Sequence, residues 1–436
     1  MTQAIVRYGA YKDSGLAWLG EVPAHWEVNR VKDELDSLDH KRIPLSGEVR
    51  GLMTEQAYDY YGASGVIDKV EDYIFDGPTI LLGEDGANLY SRSSPLAFIA
   101  TGKYWVNNHA HILKPRKGDI RFFCYLLEAL DYTTLISGSA QPKLTAGQLN
   151  RVLLLVPPFV EQASIAAYLD TQAAQLDRKI DLLSQKAEQY GKLKQSLINE
   201  TVTRGLDKTV VTKDSGVEWI GKVPTHWEVK RLKEVFVESK SKSTTGNEIL
   251  LSVSEYTGVT QKKDNVGDDE FLSNAESLVG YKICKVGDLV INIMLAWKRG
   301  LGVSSFCGIV SPSYAVYSPL KKVNSSFFHY LLRTEDAIAE FKRNSTGIIE
   351  SRLRLYTDSF YALSVAVPPF DEQAAIAAYL DEKTTHIDRI VATLNTQIDR
   401  LKELRKTLIN DIVTGKICIV EQGGSEALTR PAMERG

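Results

Sequence analysis

The sequence predicts an α+β chain built twice on one plan. Two mixed α/β domains are expected, separated by two long helices that pack as an antiparallel coiled coil, with an internal pseudo-two-fold repeat. Three observations carry this. Lys12–Val28 and Lys213–Val229 agree at 12 of 17 positions at an offset of 201 residues. Val156–Asp170 and Val367–Asp381 agree at 13 of 15 at an offset of 211. After the second pair, residues 161–204 contain no proline and only Gly191, and residues 372–413 contain neither proline nor glycine, as uninterrupted helices require.

The bulk properties narrow the function. A chain of 436 residues suits two to four domains, each able to bury a core. A net charge of -3 argues against polyanion binding over the whole surface and leaves room for local basic patches. Cys124, Cys284, Cys307 and Cys418 have no C-x-x-C spacing, so neither a zinc site nor a disulfide framework is indicated. The N-terminus lacks the apolar core of a signal peptide, and no run approaches the roughly 18 apolar residues of a membrane span. A soluble, cytoplasmic protein without membrane contact is expected.

In chain order, Trp18 and Trp26 lie in the first frame block, and Trp219 and Trp227 match them in the second. Their expected role is core packing beside the helix ends. Glycine-punctuated inserts at about 30–155 and 231–366 read as domains with many short strands. Alternation over Tyr104–Leu113 suggests a strand, and short helices are expected at Ile120–Tyr132 and Ser326–Asn344. The apolar runs Arg151–Val156 and Ala362–Val367 read as strands stopped by a proline pair. Glu161 and Glu372 then stand in the first turn of the long helices, where a carboxylate complements the helix dipole.

The apolar seams of the two helices match at the same offset. Leu176, Ile180, Leu183, Ala187, Tyr190, Leu193 and Leu197 correspond to Ile387, Val391, Leu394, Ile398, Leu401, Leu404 and Leu408. The steps of 4, 3, 4, 3, 3 and 4 form a heptad seam with one irregular three-residue step. Such a seam needs a partner, and the other helix of the chain is the most economical one. At about 1.5 Å per residue, 44 residues would make a rod of roughly 66 Å. The boundaries expected are 1–157 for the first mixed domain with its frame block, 158–206 for the first helical region, 207–368 for the second domain with its repeated block, 369–420 for the second helical region, and 421–436 for a disordered polar tail.

Catalytic patterns are poor. The VPPF tetrapeptides lack the polar first residue with which amino-methyltransferases hold a target amine, because Val156 and Val367 cannot hydrogen-bond through their side chains. No phosphate-binding G-x-x-x-x-G-K-[ST] loop is present. Glu228-Val-Lys230 is read as frame. His109 and His111 lie two apart, yet no carboxylate or cysteine is spaced to complete a metal site, so no metal is expected.

Base-reading chemistry is better represented. In the first insert Asn88, Tyr90, Ser91, Arg92, Asn107, Asn108, His109, Gln141 and Lys143 are candidates. The second offers Lys262, Lys263, Trp297, Lys298, Arg299, Arg343, Arg352 and Arg354. Arg and Lys bond guanine edges, Asn and Gln bond adenine edges, and all can bond phosphates.

The W-x-G-x-V-P-x-H-W-E-V blocks, the P-P-F-x-E-Q-x-x-I-A-x-Y-L-D helix starts and the paired Leu197-Ile-Asn199 and Leu408-Ile-Asn410 together resemble the specificity subunits of type I restriction-modification systems. Within the inserts, Tyr61–Gly65 with Gly86–Asn88, and Gly287–Ile291 with Gly308–Pro312, are similar to that family's target-recognition domains. The resemblance implies a non-catalytic chain that binds double-stranded DNA, each domain reading one half of a bipartite asymmetric site. It implies two modification subunits and two restriction subunits as partners. S-adenosylmethionine, ATP and Mg would be held by those partners, and the assembly would be a site-specific deoxyribonuclease and adenine DNA methyltransferase. The rival reading is a coiled-coil scaffold joining two ligand-binding modules without DNA specificity.

Overall fold

A computed structural model describes residues 7–15, 19–138, 141–262 and 277–419, so Trp18, Lys263 and the tail at 421–436 lie outside the described residues. The chain forms two compact units, Met1–Leu183 with Thr396–Gly436, and Ser184–Asn395. The division runs through the middle of both long helices. Each unit therefore holds one mixed domain, the start of one long helix and the end of the other.

In the first unit, strand Tyr11–Asp13 pairs antiparallel with Glu21–Pro23. Glu27–Arg30 pairs antiparallel with Leu153–Val156, Val156 opposite Glu27, so the strand expected before the proline pair is closed by the repeated block. Two four-stranded sheets build the domain. One is ordered Gly65–Val70, Tyr58–Gly62, Lys103–Val106, Phe75–Asp76, and the other Leu35–Ser37, Ala110–Pro115, Thr79–Gly83, Ala97–Ala100. The expected single strand over Tyr104–Leu113 is thus two strands in two sheets. The chain turns at Asn107, whose Oδ1 accepts the His109 N–H at 2.8 Å, an Asx turn that competes with strand pairing. Helix Ile120–Ala129 starts at Asp119, whose carboxylate accepts the Arg121 N–H at 2.8 Å, and packs Phe122, Phe123, Leu126 and Leu127 into the core.

The second unit repeats the frame. Thr212–Asp214 pairs with Lys222–Pro224, and Glu228–Arg231 pairs with Ser364–Val367 in the same antiparallel register, Glu228 opposite Val367. Its principal sheet is ordered Phe236–Glu238, Tyr314–Pro319, Leu289–Asn292, Leu301–Val303. The helix expected over Ser326–Asn344 is two helices, Ser325–Leu331 and Glu335–Arg343. Thr334 separates them. Its backbone is extended and its hydroxyl accepts the Ala337 N–H at 3.3 Å, starting a new helix where apolar periodicity alone reads as continuous.

The long helices are Phe159–Arg204 and Phe370–Val413, 46 and 44 residues. Both end at a left-handed glycine, Gly205 (φ +78°) after the first and Gly415 (φ +74°) shortly after the second. Within the first unit, Leu408, Ile409, Ile412 and Val413 at the end of the second helix join the core containing Ile165, Ala166 and Leu169 from the start of the first. In the second unit Leu197, Ile198 and Val202 do the same with Ile376, Ala377 and Leu380. Start meets end in each unit, so the helices pair antiparallel.

Candidate nucleic-acid interface

The repeated helix start is a joint that fixes each mixed domain to the frame. Glu161 Oε1 accepts the indole N–H of Trp26 at 3.1 Å and the hydroxyl of Tyr8 at 2.6 Å, while Oε2 lies 2.8 Å from His25 Nε2. Glu372 makes the equivalent bonds, at 3.1 Å to Trp227 and 2.7 Å to His226. Each glutamate thus satisfies the one polar group of a fully buried tryptophan. The adjacent glutamines are buried staples. Gln162 donates to the Pro157 carbonyl at 2.8 Å and accepts the Asp119 N–H at 3.0 Å; Gln373 donates to Pro368 at 2.8 Å and accepts the Asn324 N–H at 2.9 Å. Asp170 bonds Tyr125 at 2.9 Å and Arg121 at 2.9 Å, and Asp381 bonds Tyr330 at 2.6 Å. The aspartate, glutamate and glutamine of the repeated block are therefore spent on holding the domain to its helix. Sequence reasoning assigns Glu161 and Glu372 only to the helix dipole, and their offset from the frame blocks, which differs by ten residues between copies, hides the pairing.

The helix seam corrects one expectation. Leu193 and Leu404 are 53% exposed and stand outside it. Lys194 and Arg405 take those places, so the steps from Leu176 run 4, 3, 4, 3, 4, 3 and the heptad is regular. Each cation meets an aspartate across the helix pair, Lys194 Nζ with Asp388 at 2.7 Å in the second unit and Arg405 Nε with Asp177 at 2.9 Å in the first. These pairs are related by the same 211-residue offset. The remaining seam residues, Ile180, Leu183, Ala187, Tyr190, Leu197, Val391, Leu401 and Leu408, are half-buried, and Leu176, Ile387, Leu394 and Ile398 are buried.

The candidate reading residues of the first unit converge on one edge. Three segments distant in sequence meet there: the turn after strand Thr79–Gly83, the turn at Asn107–His109, and the loop closed by Ser137 and Lys143. Gly86 N–H donates to the Pro142 carbonyl at 3.0 Å and Leu144 N–H to the Glu84 carbonyl at 2.8 Å. His109 Nδ1 lies 2.8 Å from Asp85, Lys143 Nζ 3.1 Å from Glu84, and Arg42 Nη1 2.5 Å from Glu84. Burial pushes the Glu84 carboxyl up, but Arg42, His111 and Lys143 outweigh it and hold the group below its ordinary range. Glu84, Asp85 and Arg42 were not among the sequence candidates, since only the fold brings them beside Lys143 and His109. Tyr90, Asn108, His109, Gln141 and Lys143 present exposed or half-exposed side chains.

Other candidates are engaged by neighbouring groups of the same domain. Arg92 (φ +48°) donates to the carbonyls of Glu128 at 3.1 Å and Leu130 at 2.5 Å, closing the C-terminus of helix Ile120–Ala129. Asn88 bonds Ser94 through both its amide ends, and Ser91 reaches Ser93 at 3.3 Å. Asn107 is buried. His111 is 1% exposed and sits between Asp39 Oδ2 at 2.6 Å and the Leu144 carbonyl at 2.8 Å, so it and His109 do not converge on a common ligand. Desolvation raises the Asp39 carboxyl, but its bonds to His111 and the Ile112 N–H hold it lowered.

The second unit has the same edge with different side chains. Leu355 N–H donates to the Ile293 carbonyl at 2.9 Å, as Leu144 does to Glu84, tying the loop Thr346–Arg354 to the turn after strand Leu289–Asn292. Arg299 (φ +60°) ends the helical turn Ala296–Lys298, as Arg92 ends the turn Asn88–Ser91 in the first unit, and pairs with Glu335. The Trp297 ring carries Lys298 Nζ at 4.8 Å and Lys342 Nζ at 5.5 Å. Arg343 lies 3.4 Å from Glu340, and Arg354 Nη1 donates to the Arg352 carbonyl at 3.2 Å. Lys262 is half-buried, its N–H donating to the Leu250 carbonyl at 3.0 Å.

Among the described residues, no group of three or more His, Cys, Asp or Glu is arranged for a metal, and no helix is long and apolar enough to cross a membrane.

Comparison with known proteins agrees with this construction. Residues 23–189 match the family model of the type I restriction modification DNA specificity domain. The chain is 26% identical over 373 residues, 80% of its length and 87% of the relative's, to a chain of Haemophilus influenzae provisionally named as a type I restriction enzyme specificity subunit. It is 24% identical over 427 residues, 91% of its length and 94% of the relative's, to the MjaVIII specificity subunit of Methanocaldococcus jannaschii. A solved chain from a study of assembly and conformational transition in a type I restriction-modification system shares the fold, with a TM-score of 0.62 at 15% identity, covering 90% of this chain and 98% of the other. With the duplicated frame, the antiparallel helices within each unit and the two mixed domains in place, the chain is similar over most of its length to type I restriction-modification specificity subunits.

Proposed function

We propose that this chain is the sequence-reading subunit of a type I restriction-modification complex, each unit's domain recognising one half of a bipartite, asymmetric duplex. One observation carries the reading. The tryptophan and histidine bonds of the joints at Glu161 and Glu372 are duplicated, whereas the equivalent loop edges carry His109, Asp85 and Lys143 in one unit and Trp297, Lys298 and Arg352 in the other. A fixed frame with unlike edges suits two different half-sites. Bases would be read from these edges, and nearby Lys and Arg would position phosphates. The family is one of non-catalytic specificity subunits. Methylation of adenine and ATP-driven cleavage would belong to two modification and two restriction subunits, which would hold S-adenosylmethionine, ATP and Mg. The long helices, spanning the proposed regions 158–206 and 369–420, would set the spacer and dock the modification subunits, and the work would be done where the DNA is, in the cytoplasm.

Methylome sequencing of cells carrying the chain with its modification subunit tests this directly. A modified, two-part, asymmetric motif is expected, and replacing residues 30–155 with those of a relative changes one half of it. Absence of any sequence-selective modification or binding in the assembled complex refutes the reading in favour of a scaffold. A change in both halves refutes independent readers.

A further inference from the structure

Resting on that reading, we infer that the loop Thr346–Arg354 contacts thymine 5-methyl groups in the major groove of the half-site read by the second unit. Ile348 is fully exposed and Ile349 is 53% exposed, side by side at the tip of a loop that no described residue covers. The loop is held in shape. Thr346 and Arg354 exchange backbone hydrogen bonds at 2.9 and 3.0 Å, Arg352 N–H donates to the Ile349 carbonyl at 2.9 Å, and a Cβ on Gly347 would stand 2.6 Å from the Arg352 carbonyl oxygen. An apolar tip presented on a preformed loop loses little conformational entropy when covered.

Charge selects the occupant. The chain carries a net charge of -3, yet Lys342–Arg354 holds four basic residues against Glu350 alone, and Glu350 is paired with Lys342 at 2.6 Å. Arg352 is exposed and has no ion-pair partner among the described residues. An apolar tip flanked by arginines fits a polyanion that offers an apolar group between its phosphate walls. Duplex DNA does so in one place, the thymine methyl in the major groove; the minor groove displays no comparable group.

The assembled complex of this chain with its modification subunit is titrated with its cognate duplex, and with duplexes in which uracil replaces thymine in one half-site at a time. Uracil in the second unit's half-site should weaken binding roughly fourfold for each contacted methyl, the factor for burying one such group. Uracil in the other half-site should not act through this loop. Ile348→Ala with Ile349→Ala should weaken binding to the thymine duplex and abolish the uracil effect, with thermal stability unchanged. Selective binding that is indifferent to uracil, or equally sensitive in the variant, overturns the methyl contact while leaving DNA recognition standing. A half-site of G·C pairs alone overturns it too. If the variant instead loses the modification subunit on co-purification, the tip is a protein contact and the inference fails. Failure of the unaltered complex to bind any duplex selectively defeats the underlying reading.

Discussion

Replacing Glu372 by alanine should loosen the second unit alone. The side chain receives the Trp227 indole N–H at 3.1 Å, and Trp227 is fully buried, so the substitution leaves a buried donor unpaired. That costs about 1–3 kcal/mol. Loss of a carboxylate from the first helical turn adds about 0.3–1 kcal/mol. The bond to His226 adds little, because the imidazole is 42% exposed and water replaces the partner. The expected loss is therefore roughly 2–3 kcal/mol for the second unit. Glu372→Gln retains an oxygen for the indole and should cost about 1 kcal/mol. Urea unfolding gives the magnitude, and hydrogen exchange gives the place: peptides covering 222–232 and 364–380 should lose protection, while 21–31 and 153–169 keep theirs. Glu161→Ala should reverse the pattern and cost somewhat more, since Tyr8 also bonds that carboxylate at 2.6 Å. If Glu372→Ala shifts stability by less than about 0.5 kcal/mol, well below the cost of a buried orphan donor, the joint is not what holds the domain.

Two further outcomes follow from the geometry. Leu193→Lys should leave stability within about 0.5 kcal/mol, whereas Lys194→Glu should cost about 1 kcal/mol by facing Asp388, with recovery in the Lys194→Glu, Asp388→Lys pair; equal effects at 193 and 194 in thermal melts would return the seam to Leu193. His329 accepts the Val303 N–H at 3.2 Å, and burial, with Arg333 nearby, pushes its pKa down to about 4 from 6.5. The unfolded chain then binds a proton that the fold refuses, so stability is full above pH 6.5, falls as the pH drops and levels below about 4, a loss on the order of 3 kcal/mol. In His329→Asn this slope should vanish from urea midpoints measured across that window, and an unchanged slope would remove His329 as its source.

Much of the frame was legible because its signals are local. A proline pair ends a strand whatever the rest of the chain does, and long stretches free of proline and glycine with a heptad pattern make helices. The Gly-rich turns and basic loops were legible as candidate readers for the same reason. The misses have a common cause. Apolarity picked Leu193 and Leu404 for the seam, but the rotation of the partner helix decides which residue faces it, and there Lys194 and Arg405 find Asp388 and Asp177. Tyr104–Leu113 alternates like one strand, yet the Asn107 side chain turns the chain and sends its halves to different sheets.

The sequence by itself determined the duplication, the positions of the two long helices and the strands that precede them, since these depend on periodicity and backbone chemistry within a few residues. Tertiary structure decided the partners. Arg92, one basic candidate among many in the sequence, closes a helix end because two carbonyls stand in its reach, while Lys143 stays at the edge beside Glu84. Glu161 and Glu372 bond tryptophans about 135–145 residues away in the chain. Burial and long-range proximity set these pairings, and neither is a property of the local sequence.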